Sequence, residues 1–122
     1  MNKASCFAVL AAIALPATAL ADCAYPKALG KLPDGTSATR EDMVAGKKAV
    51  DAYNAAMNTY LDCLKTEHDA ALAKADPAPT DEQKKMLTTR WTKQNDAAVD
   101  ELQDAADRFN EQLRVFKART AK

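Results

Sequence analysis

Apolar positions recur at helical spacing over two long stretches of this chain. In the first, Met43, Gly46, Val50, Tyr53, Met57, Tyr60 and Leu64 step by alternating threes and fours. In the second, Trp91, Asn95, Ala98, Leu102, Ala105 and Phe109 do the same, and Phe116 lies a heptad further on. Each series traces a heptad-like seam along one side of a helix. The prolines fall outside both stretches. Pro26 and Pro33 lie in a segment over 22–38, and Pro77 and Pro79 lie in a short Ala-Asp-Pro-Ala-Pro-Thr linker. The pattern predicts two long helices over about 39–75 and 81–120, preceded by an extended N-terminal arm.

The ends of these helices carry their own signals. Thr39 or Ser37 can cap the first, with Glu41 and Asp42 in its opening turn. Thr80 precedes Gln83 in a T-x-x-Q capping box. Arg114, Lys117, Arg119 and Lys122 place positive charge at the last turns of the second helix, where the helix dipole favours it. The short linker folds the two helices into an antiparallel hairpin, with residue i facing roughly residue 156 − i. Gly46 then meets Phe109, Val50 meets Ala105, Tyr53 meets Leu102, Met57 meets Ala98 and Leu64 lies near Trp91. Several large residues face small ones, as interdigitating packing requires. Tyr60 opposite Asn95 is the one polar layer, and a hydrogen bond, or at least a shared role in setting the register, is expected there.

The first residues read as an address. Lys3 supplies a positive charge, Ala4 to Ala14 are almost wholly apolar, and Ala19-Leu20-Ala21 offers the small-x-small pattern of signal-peptide cleavage. The apolar run is shorter than the roughly 20 residues a membrane span needs, and Pro16 interrupts it. A lipidated Cys23 is disfavoured by Asp22, which stands where a small residue is wanted. The expected organisation is a signal peptide over 1–21 with cleavage after Ala21, an arm over 22–38 and a helical hairpin domain over 39–122. That signal makes export to the periplasm or the medium the expectation, and no further apolar segment is long enough to span a membrane.

Export changes the meaning of the cysteines. Cys6 leaves with the signal, and the remaining pair, Cys23 and Cys63, reads as one disulfide, with two free buried thiols as the alternative. On the chain-entropy account such a loop stabilises by about 4 kcal/mol. An arm starting at Cys23 has the reach to run back along the first helix. Cys63 flanks the seam on the side shared with Ala49 and Ala56, where small residues leave a groove for Tyr25, Leu29 and Leu32.

Composition tempers the picture. Hydrophobic residues make up 48% of the chain, but 27 of its 122 residues are alanine. Past residue 21, Leu, Ile, Val and Phe number only 14. A hairpin has a single seam, and small scaffolds usually need a staple or self-association. The formal net charge of zero argues against a nucleic-acid binder that works by neutralising phosphates.

Candidate chemistry is sparse. His68 sits between Glu67 and Asp69 near the open end of the seam, close to Thr88; one imidazole without a His or Cys four residues on is a weak zinc signal. Asp96, Asp100, Asp104, Asp107 and Glu111 form a carboxylate stripe at helical spacing, but a straight stripe does not wrap around calcium, and a solvated face is the expected reading. Lys84, Lys85, Arg90 and Lys93 surround Trp91, which the seam claims. There is no G-x-S-x-G, no phosphate-cradling glycine loop and no C-x-x-C-H. No catalytic, cofactor-binding or metal-binding residues are assigned, and a two-helix hairpin offers no evident concave pocket.

The segments CAYPKALGKLPDGTSAT, KAVDAYNAAMNTYLDCL and NDAAVDELQDAADRFNEQLRVFKAR resemble small exported bacterial proteins that remain uncharacterised. The resemblance implies a Cys-stapled helical hairpin of the cell envelope and transfers no activity. The small helical periplasmic chaperones carry L-T-x-x-Q, whereas Leu87-Thr88-Thr89-Arg90-Trp91 lacks the Gln. The expected function is a non-enzymatic interaction or structural protein whose partner is another envelope protein or a second copy of itself, with no cofactor and no nucleic acid. The alternatives are a chaperone-like binder of unfolded clients and a weak metal or ligand binder.

Overall fold

The computed structural model describes residues 22–122, so the expected signal peptide and its cleavage after Ala21 lie outside the described residues. Two helices follow the arm, α1 over Arg40–Leu72 and α2 over Asp81–Thr120, and no strand occurs among the described residues. Both starts are closed by reciprocal capping. The Thr39 hydroxyl accepts the Asp42 N–H at 3.1 Å, and the Asp42 carboxylate accepts the Thr39 N–H at 2.8 Å. Thr80 and Gln83 repeat the arrangement on α2. Each box satisfies two backbone groups that a helix start otherwise leaves open. The end of α1 departs from expectation by three residues, at Leu72 rather than about 75. Pro77 lacks an amide hydrogen and disfavours helical geometry at Asp76, so the chain leaves the helix early enough to turn.

The helices are antiparallel and in the expected register. Gly46 lies against Phe109, and His68 bonds Thr88. The core is a row of large α1 side chains on small α2 ones: Tyr53, Met57, Tyr60 and Leu64 pack over Ala98 and Ala105. Met57 is fully buried. Toward the other end Met43, Phe109 and Ala38 form a second cluster, flanked by Leu32, Leu113 and Phe116. The outer seam positions Val50, Trp91, Asn95, Leu102 and Phe116 are half-buried.

The arm runs back along α1 as expected, from Cys63 past Tyr60 to Gly46, but not on the flank expected. Ala49 and Ala56 remain exposed, so the groove on that flank of α1 is not where the arm lies. It crosses between the helices instead. Leu29 joins the first cluster and Leu32 the second, while the Pro33 ring rests on Gly46. Gly35 presses directly on the α2 backbone at Gln112 and Phe116. Three polar contacts hold it there. The Gly35 N–H donates to Gln112 Oε1 at 2.8 Å, and the Arg119 guanidinium donates to the carbonyls of Gly35 and Ala38 while lying over the Phe116 ring. The physical reason for the altered path is this attachment to α2, which pulls the arm off the α1 flank. It also changes the polar layer. No hydrogen bond joins Tyr60 to Asn95; Tyr25 of the arm packs edge-on against Tyr60, with ring centroids 5.0 Å apart.

Neither glycine has a positive φ, so both are needed for close approach alone. A Cβ on Gly46 would stand 2.6 Å from the Pro33 ring and 3.2 Å from Phe109. One on Gly35 would overlap the Gln112 carbonyl. Helix propensity alone makes Gly46→Ala stabilising by about 1 kcal/mol. The overlap reverses that sign, and urea unfolding should show a loss of about 1–3 kcal/mol. Gly35→Ala should lose at least as much, because the atom it meets is backbone and has no rotamer to give way. A gain in stability for either variant contradicts the packing of the arm on the hairpin.

Candidate functional site

Chemistry-bearing side chains gather at three places. The first is the staple. Cys23 and Cys63 form a disulfide with their Cα atoms 5.7 Å apart, as expected of that pair. Glu67 lies one helical turn beyond Cys63, and its carboxylate and the two sulfurs all fall within 4.8 Å of one another. All three residues are half-buried. The Cys63–Glu67 adjacency is readable from their spacing, but the juxtaposition of all three is not, because Cys23 joins it only through the fold.

The second is the linker end of the hairpin. The His68 imidazole stacks on the Trp91 indole at 5.0 Å, with the planes 26° apart. Its Nε2 lies 3.1 Å from the Thr88 hydroxyl and its Nδ1 3.3 Å from an Asp69 oxygen. His68 is therefore a helix-to-helix contact with both ring nitrogens engaged. Asp69 in turn pairs with Lys65. Lys65 first, and His68 second, hold the Asp69 carboxyl below the usual carboxylate range. Trp91 carries a cost in this position, since its indole N–H is shielded from solvent and has no acceptor. Of the basic residues around it, Lys84, Lys85, Arg90 and Lys93 are all exposed, and Lys84 pairs with Asp81.

The third is a groove of about 560 Å³ between the arm and α2. A bare hairpin would lack it; the arm supplies one wall with Lys31, Pro33 and Asp34, and α2 the other with Asp107, Arg108 and Glu111. The carboxylate stripe runs into this groove. Asp96, Asp100, Asp104, Asp107 and Glu111 are exposed, as a solvated face requires. Two of them are neutralised along the helix, Asp104 by Arg108 at 2.8 Å and Glu111 by two bonds from Arg114. The Arg114 guanidinium holds the Glu111 carboxyl below its ordinary range. The stripe does not converge on a point, so it presents charge rather than a coordination site.

No family model matches the chain, and neither does any curated protein or any solved structure.

Two expectations concern how the site is held. Cys63→Ser, or reduction of the disulfide, should lower unfolding stability by up to about 4 kcal/mol, read from urea unfolding with and without reductant. Unchanged unfolding would mean that the arm is held by its other contacts alone. The second concerns acid. Asp34 accepts the hydroxyl and N–H of Thr36, and Asp42 accepts the N–H and hydroxyl of Thr39; both carboxyls sit below their ordinary value of 3.8. A group with a depressed folded-state pKa stabilises fully above its unfolded value and loses that contribution as pH falls through the folded one. Stability should therefore drop below about pH 4. The drop should be shallower in the Asp34→Asn, Asp42→Asn double variant. An acid limb of equal slope in both proteins would contradict these roles.

Proposed function

We propose that the protein is a non-enzymatic helical interaction module of the bacterial cell envelope, which docks on another envelope protein or on a second copy of itself. The observation that carries this reading is the imbalance between helix surface and core. α2 has 40 residues and buries only Ala98, Ala105 and Phe109. Most of its other residues are exposed on a rod that is capped, stapled and braced by the arm. Exposed Met86 on α2 and Val44 on α1 add apolar contact points at 66% and 49% exposure. A rigid element that presents a long ordered face to a partner loses little conformational freedom on binding, which favours association.

The envelope assignment is supported by the N-terminal segment of the sequence and by the disulfide, which persists in oxidising compartments. No helix among the described residues is long and apolar enough to cross a membrane.

Site-specific photo-crosslinking tests the reading. A photoreactive residue placed singly at Met86, Gln94, Gln103 or Val44 should trap a discrete adduct in intact cells, identified by mass spectrometry. Two differently tagged copies separate self-association from capture of another envelope protein. Recovery of monomer alone from all four positions would overturn the proposal.

A further inference from the structure

We propose that the reduced chain carries a divalent-metal site built from Cys23, Cys63 and Glu67, with the chemistry to take zinc. The geometry points to it directly. Both sulfurs and a Glu67 carboxylate oxygen lie within 4.8 Å of one another. Cys63 and Glu67 are four residues apart on α1 and share one face of that helix. Cys23 is brought over them from the arm, so the three donors converge from two separate elements. Glu67 is half-buried, as are both cysteines.

The donor set selects the ion. Two thiolates and one carboxylate, with water as a fourth ligand, suit the tetrahedral preference of zinc. Calcium and magnesium want oxygen donors throughout and gain nothing from the sulfurs. Tetrahedral binding at a Zn–S distance of about 2.3 Å needs the sulfurs about 3.8 Å apart. The 5.7 Å separation of the Cα atoms allows this by side-chain rotation, without moving the backbone. His68, the next residue along, stays outside the set because it is engaged with Trp91 and Thr88.

Such a site needs Cys23 to remain near α1 once the bond is open. The far end of the arm ensures this. Pro33 on Gly46, Gly35 on α2 and the Arg119 bonds to Gly35 and Ala38 are independent of the disulfide. Tyr25 on Tyr60 and Leu29 in the first cluster shorten the free tether further. Reduction thus leaves a short, partly docked segment and a high local concentration of the Cys23 thiol.

The exchange balances. A dithiol reductant passes two electrons and two protons to the S–S bond and becomes a disulfide itself, leaving two protein thiols. Zinc then displaces both thiol protons into solvent. Thiol–disulfide exchange in the reverse direction oxidises the two cysteines and expels the ion. The staple and the metal site are therefore two alternative states of one pair of residues. This inference is independent of the partner-docking reading, and either can fail without the other.

Cobalt(II) titration of the signal-free chain tests it, in a phosphine-reduced sample without oxygen. Reduced protein should develop thiolate-to-cobalt charge-transfer absorption in the near ultraviolet and intense visible bands of tetrahedral geometry, and equimolar zinc should bleach both. Glu67→Gln should weaken binding by about tenfold or more, whereas Glu41→Gln at the far end of α1 should bind as the parent does. The oxidised chain should give neither band. Circular dichroism of the reduced, metal-free chain should retain the helical signal. Absence of the charge-transfer band overturns the proposal. So does equal affinity in Glu67→Gln, which would indicate chelation by two thiols alone, and so does loss of helix on reduction.

Discussion

Two helices joined by a short linker share one strip of contact, and the rest of the molecule follows from how narrow that strip is. Each α1 residue that points inward finds α2 only across a single line, so large side chains must sit over small ones for the backbones to approach. Met57 and Tyr53 over Ala98 and Ala105 achieve this. A seam of this width leaves the flanks of Tyr60, Met43 and Phe109 open. The arm covers them, acting as a third layer that is not a helix. An extended segment suits that task because it fills a shallow channel without needing a seam of its own.

Most of the architecture was legible in local patterns. The helices could be read because the three-four spacing, the prolines and the capping residues agree with one another, and agreement across levels is what distinguishes a specified fold from a weak tendency. The register could be read because eight residues of linker leave little freedom in where α2 starts. The His68–Thr88 proximity followed from the same register. The disulfide followed from the even count of cysteines beyond residue 21, not from any knowledge of the arm's route.

What could not be read depends on contacts between residues far apart in sequence. Arg119 looks like an ordinary cation at a helix C-terminus, yet it reaches back over eighty residues to the carbonyls of Gly35 and Ala38. Gly35 looks like a turn glycine in a Pro-Asp-Gly sequence, and does occupy a turn, but its lack of a side chain is used against α2. Tyr60 looks like a partner for Asn95 when only the two helices are considered; Tyr25 takes that role once the arm is in place. Each misreading treats the arm as a strap over α1 when it is a wedge between α1 and α2. Nothing in the periodicity of the helices could distinguish the two.

The wedge is attached differently at its two ends, and that asymmetry bears on how the molecule responds to its surroundings. At residues 33–38 the attachment is steric and polar, spread over Gly46, Gln112, Phe116 and Arg119, and no single chemical event removes it. At Cys23 it is one covalent bond, which a two-electron reduction opens. A change of redox state therefore frees only the segment nearest Cys23, beside Tyr60 and Glu67, and leaves the groove between Lys31 and Arg108 in place. The segment that redox chemistry frees and the groove that the arm walls lie at opposite ends of the arm. The groove is thereby insulated from the state of the cysteines, because the contacts that hold its arm wall at Pro33 and Gly35 do not pass through the staple.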